Sequence, residues 1–179
     1  CRGSFILETE VGELPKLNFT FTGIYIPPTD VTLPAITYGQ QSTPLIVKNG
    51  NTSGFQLLSY SGSLQTLMID AGIETQYMEL VGGTKEVHLI NRATSGTVTL
   101  EAVKVATKDY FAAALLDTSL GNLTLTHGTV AGNIVQFSSS NIDIGDVSYT
   151  ETNGIVMAEI PFTAVPSTSG NDEFSLIYR

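Results

Sequence analysis

Few side chains in this 179-residue chain could do covalent or acid–base chemistry. His88 and His127 are the only imidazoles and Cys1 is the only thiol. His88 sits inside the alternating segment KEVHLIN and reads as a sheet residue. His127 precedes Gly128 and reads as a turn residue. A lone cysteine can form neither an internal disulfide nor a cysteine-based zinc site. Gly82-Gly83-Thr84-Lys85 has the ending of a phosphate-binding loop. It lacks the first glycine at the required spacing and a following helix, so it reads as a hairpin turn. Asp143 with Asp146, and Asp172 with Glu173, could offer oxygens to calcium, but neither pair sits in a dense carboxylate loop, and both read as surface acids. The nucleophile-elbow, zincin and P-loop patterns are absent from the sequence. Seven Tyr, eight Phe and no Trp give no support to a sugar-stacking platform. The expectation is a protein that is not an enzyme and uses no cofactor or metal.

Charge points the same way. The formal net charge is −9, from 17 acids and 8 bases. Tight nucleic-acid binding needs Lys and Arg to displace counterions, so this balance argues against it. It is compatible with an acidic wall past which DNA slides. Charged residues make up 14% of the chain, against roughly 25% in ordinary soluble domains. The deficit is concentrated: residues 31–69 hold only Lys48, and residues 118–142 hold none if His127 is neutral. Such stretches, rich in Ser, Thr, Gly, Asn and Gln, fit surface covered by partners; they also fit the neutral loops of extracellular β-proteins. No apolar run approaches the about 18 residues of a membrane-spanning helix. The opening CRGSFILET resembles the middle of a strand region, which suggests a chain that starts partway through a longer protein; a processed mature form is the other reading.

The elements that must position these residues are mostly strands. KLNFTFT places Leu17, Phe19 and Phe21 on one face and Asn18, Thr20 and Thr22 on the other. Residues 27–44 carry Pro27, Pro28, Pro34 and Pro44 and read as a long extended loop. LIVK at 45–48 runs into Asn49-Gly50, a hairpin signal. Further β segments are expected at GFQLLSY, SLQTLMID, IETQYMEL, KEVHLIN and TVTLEAVKV, then near 121–126, 133–138, 141–149, 155–163 and 172–178. Turns are expected at Gly82-Gly83, His127-Gly128 and Asn153-Gly154. One Ala- and Leu-rich segment, 107–116, predicts a short helix with Thr107 as N-cap, Asp109 in its first turn, and Phe111 and Leu115 on the packed face. About ten strands and one helix predict a mainly β fold, a β-sandwich or partly closed barrel with one flanking helix, formed by residues 1–179 as a single domain.

As a whole the chain resembles the tail tube, or major tail, proteins of long-tailed, siphovirus-like phages. The opening CRGSFILETEVGELPKLNFTFTGIYIPPTDVTLP carries most of the likeness, an F-x-F-T-G-x-Y segment leading into a Pro-rich loop. MIDAGIETQYMELVGG with KEVHLINRATSGTVTLEAV, then LTLTHGTVAGNIVQFSS and SGNDEFSLIY, follow in the order that family shows. The likeness spans nearly all of the chain, and its order along the sequence is more specific than any one motif. It implies a tail-tube-like β domain, here the C-terminal domain of a longer subunit, that assembles with copies of itself into hexameric or pseudo-hexameric rings. The rings would stack into an acidic channel that DNA crosses without tight binding during ejection. It also implies tape-measure and tail-terminator proteins as partners, assembly in the host cytoplasm, and a place in the tail of the virion, with no membrane. A head-decoration protein or other virion β-sandwich, and an extracellular binding or adhesin module, are the rival classes.

Two residue sets carry the functional expectation. Inter-subunit contacts are expected from the loop, at Pro27, Pro28, Pro34, Tyr38, Gln40, Gln41 and Leu45, whose polar neighbours can hydrogen-bond without the desolvation cost of buried charge. Lumen-facing acids are expected at Glu74, Glu79, Glu86 and Glu101, on strands read as central.

Overall fold

The computed structural model describes residues 1–36, 43–116 and 120–179. Apolar–polar alternation forces extended segments that bury every second side chain, and the described residues form twelve of them. They are β1 (Arg2–Glu10), β2 (Lys16–Thr22), β3 (Thr52–Leu57), β4 (Leu64–Asp70), β5 (Ile73–Glu79), β6 (Lys85–Arg92), β7 (Ser95–Glu101), β8 (Gly121–His127), β9 (Val135–Ile144), β10 (Ser148–Thr152), β11 (Ile155–Ala164) and β12 (Ser175–Tyr178). One helix, α1 (Tyr110–Leu115), lies between β7 and β8. Ten strands make a single sheet in the order β2-β1-β4-β7-β11-β9-β8-β3, with β10 added on β11 and β12 on β9; β5 and β6 form a separate ribbon. The large sheet curls into a half-barrel, so the expected mainly β, partly closed architecture with one short helix is what the chain adopts.

Curling brings the two ends of the sheet face to face. The Phe5 ring on β1 meets Phe174 edge-on at 5.8 Å, and Phe174 stacks on Phe137 of β9 at 5.9 Å. Between them lies the core, in which Leu57, Leu67, Ile69, Val98, Leu100, Leu123, Phe137, Ile142 and Ile160 are enclosed. Each such side chain contributes about 1.5–3 kcal/mol relative to exposure. Register shifts in the β3–β8, β4–β7 and β8–β9 pairs locally bend the strands of the curled sheet. The β5–β6 ribbon is tied at its root: the Arg92 guanidinium donates to both oxygens of buried Glu173, at 3.2 Å for the Nε–Oε1 contact. Ser139 donates to the Glu173 carbonyl at 2.6 Å, and Thr94 to the Ala71 carbonyl at 3.1 Å.

Several expected elements shift. The helix starts at Tyr110, and Asp109 is its N-cap, accepting from the Ala112 N–H at 2.8 Å. Thr107 lies in a turn closed by its own N–H and that of Lys108 on the Lys104 carbonyl, three residues before the helix begins, so it does not occupy the cap position. With the start displaced, the packed face becomes buried Tyr110 with Ala113 and Ala114, while Leu115 is 80% exposed and Phe111 rests on Tyr149 at 5.7 Å. Residues 45–48 are not a strand. Asn49-Gly50 does reverse the chain, the Thr52 N–H reaching the Lys48 carbonyl at 2.9 Å, but β3 pairs with β8 rather than folding back on 45–48. That segment is instead pinned to the β1–β2 turn by Val47 N–H to the Glu13 carbonyl and Gly12 N–H to the Val47 carbonyl, both 2.8 Å. The segments expected at 133–138 and 141–149 merge into β9 and then break before β10. Gly82-Gly83 and Asn153-Gly154 turn the chain as expected, closing the β5–β6 and β10–β11 pairs.

Candidate functional site

Of the residues that might have done chemistry, His127, Asp172 and Glu173 are held in structural bonds, and Cys1 is an exposed free thiol. The His127 ring is buried. Its Nε2–H donates to the Leu45 carbonyl at 3.0 Å, and its Nδ1 accepts from the Thr52 hydroxyl at 2.9 Å. It thereby clamps the returning end of the long loop onto β8 and β3. Its role is thus larger than the turn residue that the sequence suggested. His88 lies on β6 with Glu86 3.6 Å away. Asp172 accepts from the Ser167 N–H at 2.8 Å, and hydrogen bonds from Ser167 hold its carboxyl below the usual range. Among the described residues no three His, Cys, Asp or Glu side chains gather as metal ligands. Burial pushes the Tyr110 phenol well above its ordinary value, and its hydroxyl has no hydrogen-bond partner among the described residues.

What stands out instead is uncovered apolar surface at one end of the molecule. Residues 23–36 leave β2 as an arm without regular structure. Tyr25, Ile26, Val31 and Leu33 on it are each more than three-quarters exposed, and Ile36 is 65% exposed. Pro27, Pro28 and Pro34 lie on this exposed arm, Leu45 is half-buried where the loop returns, and Tyr38, Gln40 and Gln41 fall outside the described residues.

Beside the arm, β2 bonds to β1 alone among the described residues, which leave its outer edge open. Leu17, Phe19 and Phe21 do share a face, opposite Leu7, Phe5 and Gly3 of β1, which is the core-facing side. Yet Phe19 and Phe21 are 57% and 66% exposed, because none of the described residues covers the core face this far along the sheet. The two rings stack on each other at 5.8 Å. Gly3 makes this possible: a Cβ there would lie 2.0 Å from the Thr20 carbonyl oxygen and 2.6 Å from the Phe21 ring. At Leu17 the track opens into an apolar cavity of about 290 Å³ bounded by Leu7, Leu125, Val135, Phe137 and Tyr178, with exposed Lys16 also among its walls. The β5–β6 ribbon stands next to β2, with the Thr75 and Thr22 hydroxyls 3.2 Å apart, and it too exposes Met78, Leu80, Val81, Leu89 and Ile90.

The opposite face of the sheet is polar and acidic. Because Leu7, Leu67, Ile69, Val98, Leu100, Ile142, Ile144, Ile160 and Phe162 point to the core, their neighbours Glu8, Glu10, Asp70, Glu101, Asp143 and Glu159 point outward. Thr66, Thr97, Thr99 and Thr163 lie among them in register. On β2 and β1 this face carries the bases Lys16 and Arg2. Of the four acids singled out from sequence, Glu101 belongs to this face. Glu74 borders it, in a depression shared with Ser4, Ile6, Asn18, Thr20 and Asp70. Glu79 and Glu86 do not: they sit on opposite faces of the β5–β6 ribbon, which is peripheral rather than central. Glu79 is hydrogen-bonded by Lys85 at 2.8 Å and by the Tyr77 hydroxyl at 2.7 Å, and these two contacts hold its carboxyl below the ordinary range. The outward position of Glu8, Glu10, Asp70 and Glu159 follows from the odd–even alternation of β1, β4 and β11 once the core parity of each is known.

No protein-family model matches the chain, and no curated protein matches it either.

Proposed function

We propose that this chain is a structural subunit of a phage tail tube, assembling with its own copies into stacked rings whose channel DNA crosses. The observation that carries the reading is the exposed apolar arm of residues 23–36 beside the uncovered Phe19–Phe21 track. Together they expose Phe19, Phe21, Tyr25, Ile26, Val31, Leu33 and Ile36, and clustered apolar side chains of this kind mark surface that meets a partner. The acidic, threonine-rich face supports the channel half of the reading. Carboxylates repel phosphates, while hydroxyls offer weak, exchangeable contacts, so a duplex meets a wall without sticking points. Head-to-tail contacts between different surfaces would close the rings. Tape-measure and tail-terminator proteins would be its partners within the virion tail.

Negative-stain electron microscopy of the concentrated protein tests this. Rings or hollow tubes with a channel wide enough for a DNA duplex are expected. Discrete trimers would favour a head-decoration protein, and monomers at every concentration a binding module; either would overturn the tube. Replacing Glu8, Glu10, Glu101 and Glu159 with Lys should leave assembly largely intact and make tubes retain duplex DNA that the parent tubes release. Equal release by both would remove the acidic face from the channel.

A further inference from the structure

We propose that the apolar cavity between the two walls of the half-barrel binds a small uncharged molecule with an apolar body and one hydrogen-bond acceptor, which Tyr178 meets at the mouth. Phe174 bridges the walls between Phe5 and Phe137. One step further along the same strands, between Leu7 and Val135, the walls stand apart and enclose about 290 Å³. Leu7, Thr9 and Leu17 come from β1 and β2, and Leu125, Val135 and Phe137 from β8 and β9. Leu7, Leu125 and Phe137 are core residues, so the floor of the cavity is the core itself. The mouth of a β-barrel is a common place for a ligand, and most ligand sites are apolar with a few fixed polar groups. An apolar cavity of about 150 Å³ takes one benzene molecule, so this one has room for about ten carbon atoms. Every wall comes from one chain, so the site does not depend on the assembly reading.

The polar groups of the lining decide the class of ligand. Thr9 is buried and its hydroxyl donates to the Leu67 carbonyl at 3.1 Å. Both nitrogens of the buried His127 ring are engaged, by the Leu45 carbonyl and the Thr52 hydroxyl, so the ring offers the cavity only its carbon surface. Lys16 stands opposite Glu8 in the β1–β2 register, on the polar face of the sheet, and its charge is directed away from the space. Tyr178 differs. Burial alone pushes its phenol above the ordinary value, with no hydrogen bond contributing, so the hydroxyl is left with a proton to donate. A trapped water needs two to four polar partners and finds about one here, so an apolar occupant displaces water with a gain. An ionised ligand would bury its charge without a counter-charge, which excludes it.

Methyl NMR of the whole chain, titrated with butylbenzene, phenylbutanol and phenylbutyrate, tests the site. Butylbenzene and phenylbutanol should give saturable shifts centred on the methyl groups of Leu7, Leu17, Leu125 and Val135. Phenylbutyrate should bind at least about tenfold more weakly than phenylbutanol. Tyr178→Phe should weaken phenylbutanol about threefold to tenfold and leave butylbenzene unchanged, because only the alcohol loses a hydrogen bond. Leu17→Trp and Val135→Trp, one from each wall, should each fill the space and remove the binding of both probes. The shift map of the parent chain needs no variant: shifts centred elsewhere, or no saturable shift with either neutral probe, would overturn the site. Binding that survives both tryptophan replacements would do the same. Tighter binding of phenylbutyrate than of phenylbutanol would overturn the uncharged class, and equal weakening of both neutral probes by Tyr178→Phe would overturn the role of the phenol.

Discussion

The two edges of the large sheet are built differently. β3, at one end, is a broken edge. Its register slips between Ser53 and Gln56, Gly54 sits at φ +64°, and the Gly54 carbonyl is taken by the Thr124 hydroxyl at 2.7 Å. Its last residue, Leu57, is wholly buried. β2, at the other end, is regular through seven residues and shows two phenylalanines to solvent. An edge bent into the core cannot template another strand, while a straight one with an apolar face can. The contrast makes β3 part of the core and leaves β2 as the edge with the geometry to accept another strand.

The largest expected effect lies on the β3 side. Leu57→Ala should cost about 2–5 kcal/mol of unfolding free energy in urea titrations, from lost burial plus cavity. If it costs no more than a surface change, β3 is not the core edge described. Next, Gly54→Val should cost about 1–2 kcal/mol, because a β-branched residue is forced into the left-handed region; cross-linking yields between copies should not change. On the β2 side, Phe21→Ser should alter chain stability by less than about 1 kcal/mol, yet sedimentation should show assembly lost. Intact assembly would erase the distinction between the edges. The smallest effect belongs to the adjacent β5–β6 ribbon. Glu79 has a depressed folded pKa, set first by Lys85 and then by Tyr77. Its stabilising contribution is therefore complete above the ordinary glutamate range and is lost as pH falls through that lower value. An NMR titration of the Lys85→Ala chain should show the Glu79 midpoint moved upward; an unmoved midpoint would mean that the Lys85 contact does not form in solution.

Much of the fold was legible because period-two alternation and turn chemistry are local. Gly82-Gly83 and Asn153-Gly154 turned where expected, and the strand segments from SLQTLMID to KEVHLIN formed at nearly their expected bounds, while the strand expected at TVTLEAVKV ends early, at Glu101. The errors were of another kind. Asp109 displaced Thr107 as the helix cap because a turn on the Lys104 carbonyl holds residues 104–108 outside the helix, which begins only at Tyr110. LIVK failed to become a strand because its apolar residues found the β1–β2 turn, not a partner strand. The acids Glu79 and Glu86 were assigned to a central sheet because alternation alone cannot separate a peripheral ribbon from a core strand.

By itself, then, the sequence determined a β-rich, acidic chain with a proline-bearing arm and a chemically sparse set of catalytic groups, since composition and short-range periodicity need no knowledge of neighbours. Only the tertiary structure decided which faces are covered. The half-barrel closes over Phe5, Phe137 and Phe174 but stops short of Phe19 and Phe21. Whether an apolar side chain on an alternating strand becomes core or contact surface depends on how far the sheet curls, and that is settled by strand order and register shifts between residues distant in the chain.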